Sequence, residues 1–124
     1  MASLGSVIGF IPTRQPELAR EFYEQRLGLR FVADDGFALV FRSGESMIRV
    51  VRVAEFTPAQ FTILGWESSN IADDVQALVD RGVAFERYGF IQQDALGIWA
   101  SPSGAKVAWF KDPDGNTLSL SQHT

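Results

Sequence analysis

The sequence predicts an α+β protein in which two similar modules form one domain of 124 residues. Three observations predict this fold class. An apolar strand is followed by a helical pattern twice, each helix ends near a glycine, and each half closes with a hairpin pattern. Each half therefore has the order β-α-β-β-β. One half cannot bury both its helix face and its sheet face alone, so we expect two to combine. Module one spans about 5–53, a linker 54–60, and module two about 61–122.

The first module begins with an apolar strand at 7–11. Its helix starts at Pro16, because the missing proline N–H would be unpaired in a first helical turn anyway. The helix ends near Gly28, which suits a left-handed C-cap. A strand at 29–32 follows, and then the runs 37–41 and 47–51 form a hairpin whose turn contains Gly44.

The second module repeats this order with one insertion. Its strand is at 61–66, and its helix follows Asn70, a favourable N-cap residue. The helix ends near Gly82, and a strand at 83–87 follows. The closing hairpin joins 106–110 to 117–121 through an Asp-Pro-Asp-Gly turn. The insertion covers 88–103, and its residues 97–100 are a candidate for a short extra strand.

Composition excludes several classes of protein. The net charge is −4 and no Lys/Arg cluster stands out, so we expect no nucleic-acid partner. No apolar run approaches the roughly 20 residues that cross a bilayer, so we expect no membrane association. Cysteine is absent, which excludes disulfides, thiolate catalysis and thiolate metal ligands. The first residues lack a basic region followed by an apolar stretch, so we expect a cytoplasmic protein.

Two segments, 20–29 and 110–116, carry a family resemblance. They read REFYEQRLGL and FKDPDGN, and they resemble the vicinal oxygen chelate superfamily, which includes glyoxalases, ring-cleaving dioxygenases and bleomycin- and fosfomycin-resistance proteins. The resemblance extends over nearly the whole chain. It implies the glyoxalase/bleomycin-resistance fold, in which two βαβββ modules form a curled mixed sheet around a cavity.

The resemblance also implies where a metal would bind. Metal-using members place ligands on the first and last strands of each module, and the matching positions here are Ile8, Arg49, Ile63 and Ser119. Isoleucine cannot coordinate, arginine is a fixed cation, and a neutral hydroxyl is a poor ligand. The single histidine, His123, lies near the chain end, where residues are usually solvated. We therefore expect no metal site and no cofactor.

The resemblance implies that these positions and their neighbours face the cavity. Side chains alternate along a strand, which places further residues on the same face. An apolar lining with a few polar groups suits a small organic ligand. The expected ligand-binding residues are Arg49, Trp109, Phe10, Ser119, Ile8, Ile63 and Glu67.

Several of these residues have alternative interpretations. Arg49 either clamps an anionic ligand, pairs with Glu67, or points to solvent. No catalytic residue is assigned, and Glu67 is the one candidate general base, although it also fits a structural or surface role. Trp109 and Phe10 either stack on a planar ligand or belong to the core. Trp99, in the insertion, is either a lid or an interface residue.

The sequence therefore favours a metal-free small-molecule-binding protein similar to the bleomycin-resistance branch. Such a protein acts by sequestering a small organic or antibiotic-like ligand. We expect a homodimer, since two-fold dimers are the commonest closed assembly. One alternative is a glyoxalase-like lyase or isomerase that is metal-independent or uses unrecognised ligands. Another is a protein-interaction module whose cavity is vestigial.

Overall fold

A computed structural model describes residues 2–123. The chain divides into two compact units, and the boundary between Thr57 and Pro58 falls inside the predicted linker. Each unit contains one helix and one four-stranded mixed sheet, so the predicted α+β class with two βαβββ-like modules is confirmed. The curl of the strands around a cavity stays a prediction.

The first unit has the sheet order β1-β4-β3-β2, with β1 parallel to β4 and the other pairs antiparallel. Helix α1 begins at Pro16 as predicted, and it continues into a π-helical segment, Glu21–Arg26. The wider turn is visible where the Leu27 amide donates to the Phe22 carbonyl over 2.9 Å. The elements are β1 (Ile8–Thr13), α1 (Pro16–Arg20), β2 (Arg30–Asp34), β3 (Ala38–Ser43) and β4 (Ser46–Arg52).

The second unit repeats this arrangement with the sheet order β5-β8-β7-β6. Strands β5 and β8 are parallel, and the other pairs are antiparallel. Asn70 caps the helix as predicted, because its Oδ1 accepts the Asp73 amide over 3.2 Å. The elements are β5 (Thr62–Glu67), α2 (Ile71–Asp80), β6 (Trp99–Ala100), β7 (Lys106–Lys111) and β8 (Thr117–Gln122).

Each unit buries the apolar face of its helix and one face of its sheet. The buried residues of the first unit include Ile11, Ala19, Phe22, Tyr23, Leu39, Phe41, Ile48 and Val50. Those of the second unit include Ile71, Val75, Leu78, Ala108, Phe110, Leu118 and Leu120. Burying one such large apolar side chain contributes about 1.5–3 kcal/mol, so these two clusters hold the sheets and helices together.

One predicted strand, 83–87, is wrong. Only Phe85 pairs with β7, through a single bridge to Phe110, and the Glu86 amide donates to the Trp109 carbonyl over 2.8 Å. The chain then leaves the sheet, and Trp99–Ala100 forms the rest of that edge as β6. The candidate strand in the insertion is therefore confirmed, and the insertion divides the outer strand of the second sheet into two pieces.

Across residues 2–123 the helices are short, and none has the length and apolarity that crossing a bilayer requires.

Candidate functional site

The second unit contains a cavity of about 450 Å³ whose wall is mostly aromatic. This volume falls within the range of roughly 300–1,000 Å³ typical of small-molecule sites. Five rings and one aliphatic side chain meet three uncharged polar side chains around it. The lining residues are Gln60, Phe61, Thr62, Tyr88, Phe90, Ile91, Trp99, Trp109 and Thr117.

The sheet supplies one wall of the cavity. Trp109 on β7 lies opposite Ser119 on β8, and Thr62 on β5 lies opposite Thr117 on β8. The indole Nε1–H of Trp109 donates to the Thr62 hydroxyl oxygen over 3.1 Å. This bond spans the sheet from β7 to β5 and fixes the plane of the indole ring. One of the two indole rings of the wall is therefore held in place before any ligand arrives.

The turn between β7 and β8 explains why these strands keep their register. The carboxylate of Asp112 accepts the amides of Asp114 and Asn116 over 2.9 and 3.0 Å, and it accepts the Asn116 side-chain amide over 2.9 Å. Gly115 has φ 86°, a conformation that glycine adopts without strain. The Asp-Pro-Asp-Gly-Asn segment thus works as a rigid hairpin turn that sets Trp109 opposite Ser119, on the same face as Thr117.

The insertion supplies the opposite part of the wall. Tyr88 contacts the edge of Trp109, with ring centroids 5.6 Å apart, and Phe90 stacks on Tyr88 at 5.7 Å. Trp99 lies beside Trp109 at 5.9 Å. These four rings form a continuous aromatic row from the sheet to the tip of the insertion. Phe90, at its outer end, is 83% exposed.

Gln93 holds this inserted segment in shape. Its side-chain oxygen accepts the Tyr88 amide over 2.8 Å, and its side-chain nitrogen donates to the Glu86 and Gly97 carbonyls over 3.0 and 2.8 Å. The Gln93 side chain therefore pairs with backbone groups that no longer have a neighbouring strand after the chain leaves the sheet. The Arg87 guanidinium adds two bonds to carbonyls later in the segment. The aromatic residues of the segment therefore lie on a loop that these hydrogen bonds hold in shape.

The cavity wall is electrically neutral. None of the described residues that line it is an acid, a lysine, an arginine or a histidine. Burial, and then the nearby negative charge of Glu86, raises the pKa of the Tyr88 phenol above its usual value. Tyr88 therefore stays protonated through the physiological range and presents an uncharged ring.

The structure places the predicted residues of the second unit in different surroundings. Trp109 lines the cavity. Ser119 is buried on β8, two residues from Thr117 on the same face, but it does not line the cavity. The expected alternation fails at Ile63, because the β5–β8 register shifts between Thr62 and Leu64. Thr62 therefore takes the cavity-facing position.

Glu67 is the remaining predicted residue of the second unit. It is exposed at the end of β5, opposite Ser121, and it does not line the cavity. Its catalytic role and the ligand-binding roles of the second-unit residues stay predictions.

The predicted residues of the first unit lie together on one face of its sheet. Phe10 on β1 is the register partner of Arg49 on β4, and Ile8 precedes Phe10 on the same face. Phe10 is 64% exposed and Ile8 is 50% exposed. The Arg49 guanidinium forms an ion pair with Asp35 at 2.6 Å, so its charge already has a partner within the unit. The anion-binding role of Arg49 stays a prediction.

The residues at the metal positions do not fit a divalent cation. Ile8 and Ile63 have hydrocarbon side chains, Arg49 carries a positive charge paired with Asp35, and Ser119 offers one neutral hydroxyl. Within residues 2–123, no group of three or more His, Cys, Asp and Glu side chains is arranged to hold a metal ion. His123 is exposed near the chain end. No reaction step can be derived through a metal at these positions.

Sequence reasoning missed most of the cavity wall. Tyr88, Phe90 and Ile91 lie in the insertion, and Gln60 and Phe61 lie where the linker meets β5. The signal was present, since residues 88–91 place two aromatic residues and an isoleucine around a glycine in a segment without strand or helix periodicity. Exposed apolar clusters of that kind mark binding surfaces more often than cores.

Comparison with solved structures shows that the chain shares its fold with proteins of the glyoxalase/bleomycin-resistance/dioxygenase superfamily. A superfamily member from Sphaerobacter thermophilus DSM 20745 aligns with a TM-score of 0.77 at 20% identity, covering 98% of each chain. Lactoylglutathione lyase from Agrobacterium tumefaciens aligns with a TM-score of 0.74 at 14% identity, covering 98% of this chain and 96% of that one.

A third similar structure is TnmS3, an antibiotic binding protein from Streptomyces sp. CB03234. It aligns with a TM-score of 0.73 at 24% identity, covering 100% of this chain and 99% of that one. No protein-family model and no curated protein matches the sequence. The structural matches confirm the glyoxalase/bleomycin-resistance fold that the resemblance implied.

Proposed function

We propose that the protein binds a small, flat, largely apolar molecule in the aromatic cavity of its second unit and acts by sequestering it. The observation that carries this proposal is the convergence of five aromatic rings on one cavity of about 450 Å³. Aromatic pairs prefer stacked or edge-to-face contacts and add about 0.5–1.5 kcal/mol each beyond the area they bury. A planar ligand gains most from such a wall.

The exposure of two rings supports a binding role over a purely structural one. Phe61 is 70% exposed and Phe90 is 83% exposed, although both line the cavity. A core residue of a folded domain would be largely buried. A ligand that covers these accessible rings removes their apolar surface from water. That burial contributes about 25 cal/mol per Å² to the binding free energy.

The similar structures are compatible with this proposal. TnmS3, which is 24% identical over the full chain, is an antibiotic binding protein. TnmS3 supports a binding role for a protein of this fold, and the neutral aromatic wall supports such a role for this chain. We therefore extend the proposal to antibiotic-like aromatic compounds as the first class to test.

An enzymatic function has less support in the geometry. Lactoylglutathione lyase shares the fold at 14% identity, but a likeness at that level extends to the fold alone. A lyase or isomerase would need a group that moves a proton at the bound ligand. Glu67, the candidate base, does not line the cavity. The geometry therefore favours binding without chemistry.

Binding can be tested by screening flat aromatic compounds with calorimetry against the parent protein and two variants. Phe90→Ala removes the exposed ring of the cavity. Phe37→Ala is the matched control, because Phe37 is 77% exposed but lies in the first unit. The proposal expects binding that Phe90→Ala weakens by roughly tenfold and that Phe37→Ala leaves unchanged. Equal effects of the two substitutions would reject the cavity as the site.

The other expectations stay predictions. They are the homodimer, the cytoplasmic location, and an anionic ligand held by Arg49. Arg49 pairs with Asp35 in the first unit, whereas the aromatic cavity lies in the second unit. The proposal therefore does not include Arg49.

A further inference from the structure

We infer that the ligand of the aromatic cavity is uncharged and carries a hydrogen-bond-accepting oxygen on one edge, which the hydroxyls of Thr62 and Thr117 recognise. This inference rests on the proposed function and deepens it. The proposed function requires only that a flat apolar molecule enters the cavity. The inference states which charge and which polar group that molecule has, and which side chains distinguish them.

The neutral wall sets the charge of the ligand. No described lining residue carries a charge, so an ionised carboxylate, phosphate or amine would lose water without gaining a counter-charge. Burying an unpaired ion is far more costly than burying a neutral polar group that is hydrogen-bonded. The raised pKa of the Tyr88 phenol removes one further source of negative charge. An uncharged ligand avoids this cost.

Thr62 has a proton to donate. Its hydroxyl oxygen accepts the Trp109 indole N–H over 3.1 Å, which occupies one lone pair. A threonine hydroxyl also has one O–H donor, which rotates to suit its surroundings. Because Thr62 lines the cavity, this donor is available to a ligand acceptor.

Thr117 supplies a second hydroxyl to the cavity wall. It is only 7% exposed, yet it lines the cavity. Among the described residues, no side-chain hydrogen bond involves its hydroxyl. Among the described residues no buried side-chain oxygen or nitrogen lacks a hydrogen-bond partner, so the unbonded Thr117 hydroxyl is itself accessible. Because Thr117 lines the cavity, this hydroxyl is available to donate to a ligand oxygen there.

The two hydroxyls form one recognition element. Thr62 and Thr117 are register partners on the adjacent parallel strands β5 and β8. Neighbouring strands lie about 4.8 Å apart, and register partners point to the same face. Two O–H donors at that spacing match the two lone pairs of a single carbonyl oxygen. The aromatic rings would then hold the flat body of the ligand while the threonines hold its oxygen.

A matched set of two-ring probes tests this inference. Acetylnaphthalene is neutral and has a carbonyl oxygen, naphthalene has no oxygen, and naphthoate is anionic. We expect the parent protein to bind acetylnaphthalene most tightly and naphthoate most weakly, as measured by calorimetry. Thr117→Val replaces the hydroxyl with a methyl group of similar size. It should weaken acetylnaphthalene binding by about 2- to 12-fold, the value of one neutral hydrogen bond, and leave naphthalene binding unchanged.

Two further variants control for changes in packing. Thr117→Ser keeps the hydroxyl and should retain most of the affinity for acetylnaphthalene. Thr62→Val should weaken acetylnaphthalene binding and also free the Trp109 indole. Melting temperatures of all variants show whether each is folded.

The possible results distinguish a failure of the inference about the ligand's charge and oxygen from a failure of the proposed function. Binding of acetylnaphthalene and naphthalene with equal affinity, or a Thr117→Val variant that binds acetylnaphthalene as well as the parent does, overturns the inference and leaves the proposed function standing. Naphthoate binding at least as tightly as acetylnaphthalene also overturns it. Failure of all three probes to bind the folded parent protein overturns the proposed function itself.

Discussion

The Trp109 indole donates its N–H to the Thr62 hydroxyl across the width of β8, at a distance of 3.1 Å. One residue belongs to β7 and the other to β5, and the strand between them carries Thr117. This bond joins an aromatic ring to a polar hydroxyl, the two kinds of group that typically line a small-molecule site. It orients the Trp109 indole in the cavity wall, and it leaves the Thr62 hydroxyl with an O–H to donate.

Gln93 is expected to control the order of the inserted part of the cavity. Its side chain forms three hydrogen bonds with the backbone between Glu86 and Gly97. Gln93→Ala should therefore raise the amide exchange rate of Tyr88 by roughly 10- to 100-fold, since each bond contributes about 0.5–1.5 kcal/mol. Hydrogen–deuterium exchange measures this. Gln92→Ala, at an exposed neighbouring position, is the control, and equal exchange in both variants would contradict the prediction.

Asp112 is expected to be a main determinant of stability in the second unit. It is 6% exposed, and its carboxylate accepts three hydrogen bonds within the turn. Asp112→Ala should lower the free energy of unfolding by about 2–4 kcal/mol, because two backbone amides lose a buried charged acceptor. Urea denaturation measures the change. Asp80→Ala removes an exposed carboxylate that accepts a hydrogen bond from the Gln76 side chain in the helix, and it should cost less than about 0.5 kcal/mol. Similar losses in the two variants would refute this role.

Gly65 and Ser119 are expected to be coupled. A Cβ added at Gly65 would lie 2.5 Å from the Ser119 hydroxyl oxygen and 3.3 Å from the Ser119 carbonyl oxygen. Gly65→Ala should therefore destabilise the protein by about 1–3 kcal/mol, the usual cost of overpacking. Adding Ser119→Ala removes the closest atom and should recover part of that loss, which a double-mutant cycle detects. Gly5→Ala is the control, since a Cβ there meets nothing within 4 Å. Additive effects of the two substitutions would disprove the coupling.

The Asp34–Arg52 pair predicts a pH dependence at the β2–β3 turn. The two terminal guanidinium nitrogens of Arg52 donate to the Asp34 carboxylate, at 2.8 and 2.6 Å. This contact, and then the Gly36 amide, lowers the pKa of Asp34 from 3.8 to about 2. Because the folded pKa is depressed, the contribution to stability is complete above pH 3.8 and is lost as pH falls toward 2.

Asp34→Asn removes this contribution, and Arg52→Gln removes its cause. Each variant should therefore unfold at lower urea than the parent at pH 7, and the difference should shrink as pH falls from about 4 to 2. A difference that keeps the same size at every pH would contradict the role of the ion pair.

Much of the fold could be predicted from the sequence because local signals have local causes. Pro16 and Asn70 fix where the helices begin, since each satisfies the special demands of a first turn. Gly28 and Gly82 end them, with φ values of 77° and 89°. Such residues act within one turn of chain, so no knowledge of the tertiary structure is needed to interpret them.

The site was harder to predict because its determinants are not local. The shift in register beside Ile63 depends on how β5 pairs with β8, and it moves Thr62 onto the cavity face. The break after Phe85 depends on bonds from Gln93, which lies several residues further along the chain. Trp109 was predicted because the family resemblance marks its position. Tyr88 and Phe90 have no such marker.

The central claim is that a flat ligand binds against Trp109 and Trp99 in the cavity of the second unit. The three tryptophans give three indole N–H signals in a nitrogen–proton correlation spectrum, assigned by single Trp→Phe substitutions. Trp66 is an internal control, because it stacks on Phe110 at 6.4 Å and does not line the cavity. Titration with acetylnaphthalene should shift the Trp109 and Trp99 signals progressively to saturation and leave the Trp66 signal in place. A saturable shift of Trp66 alone, or no shift of any indole signal, would contradict the account.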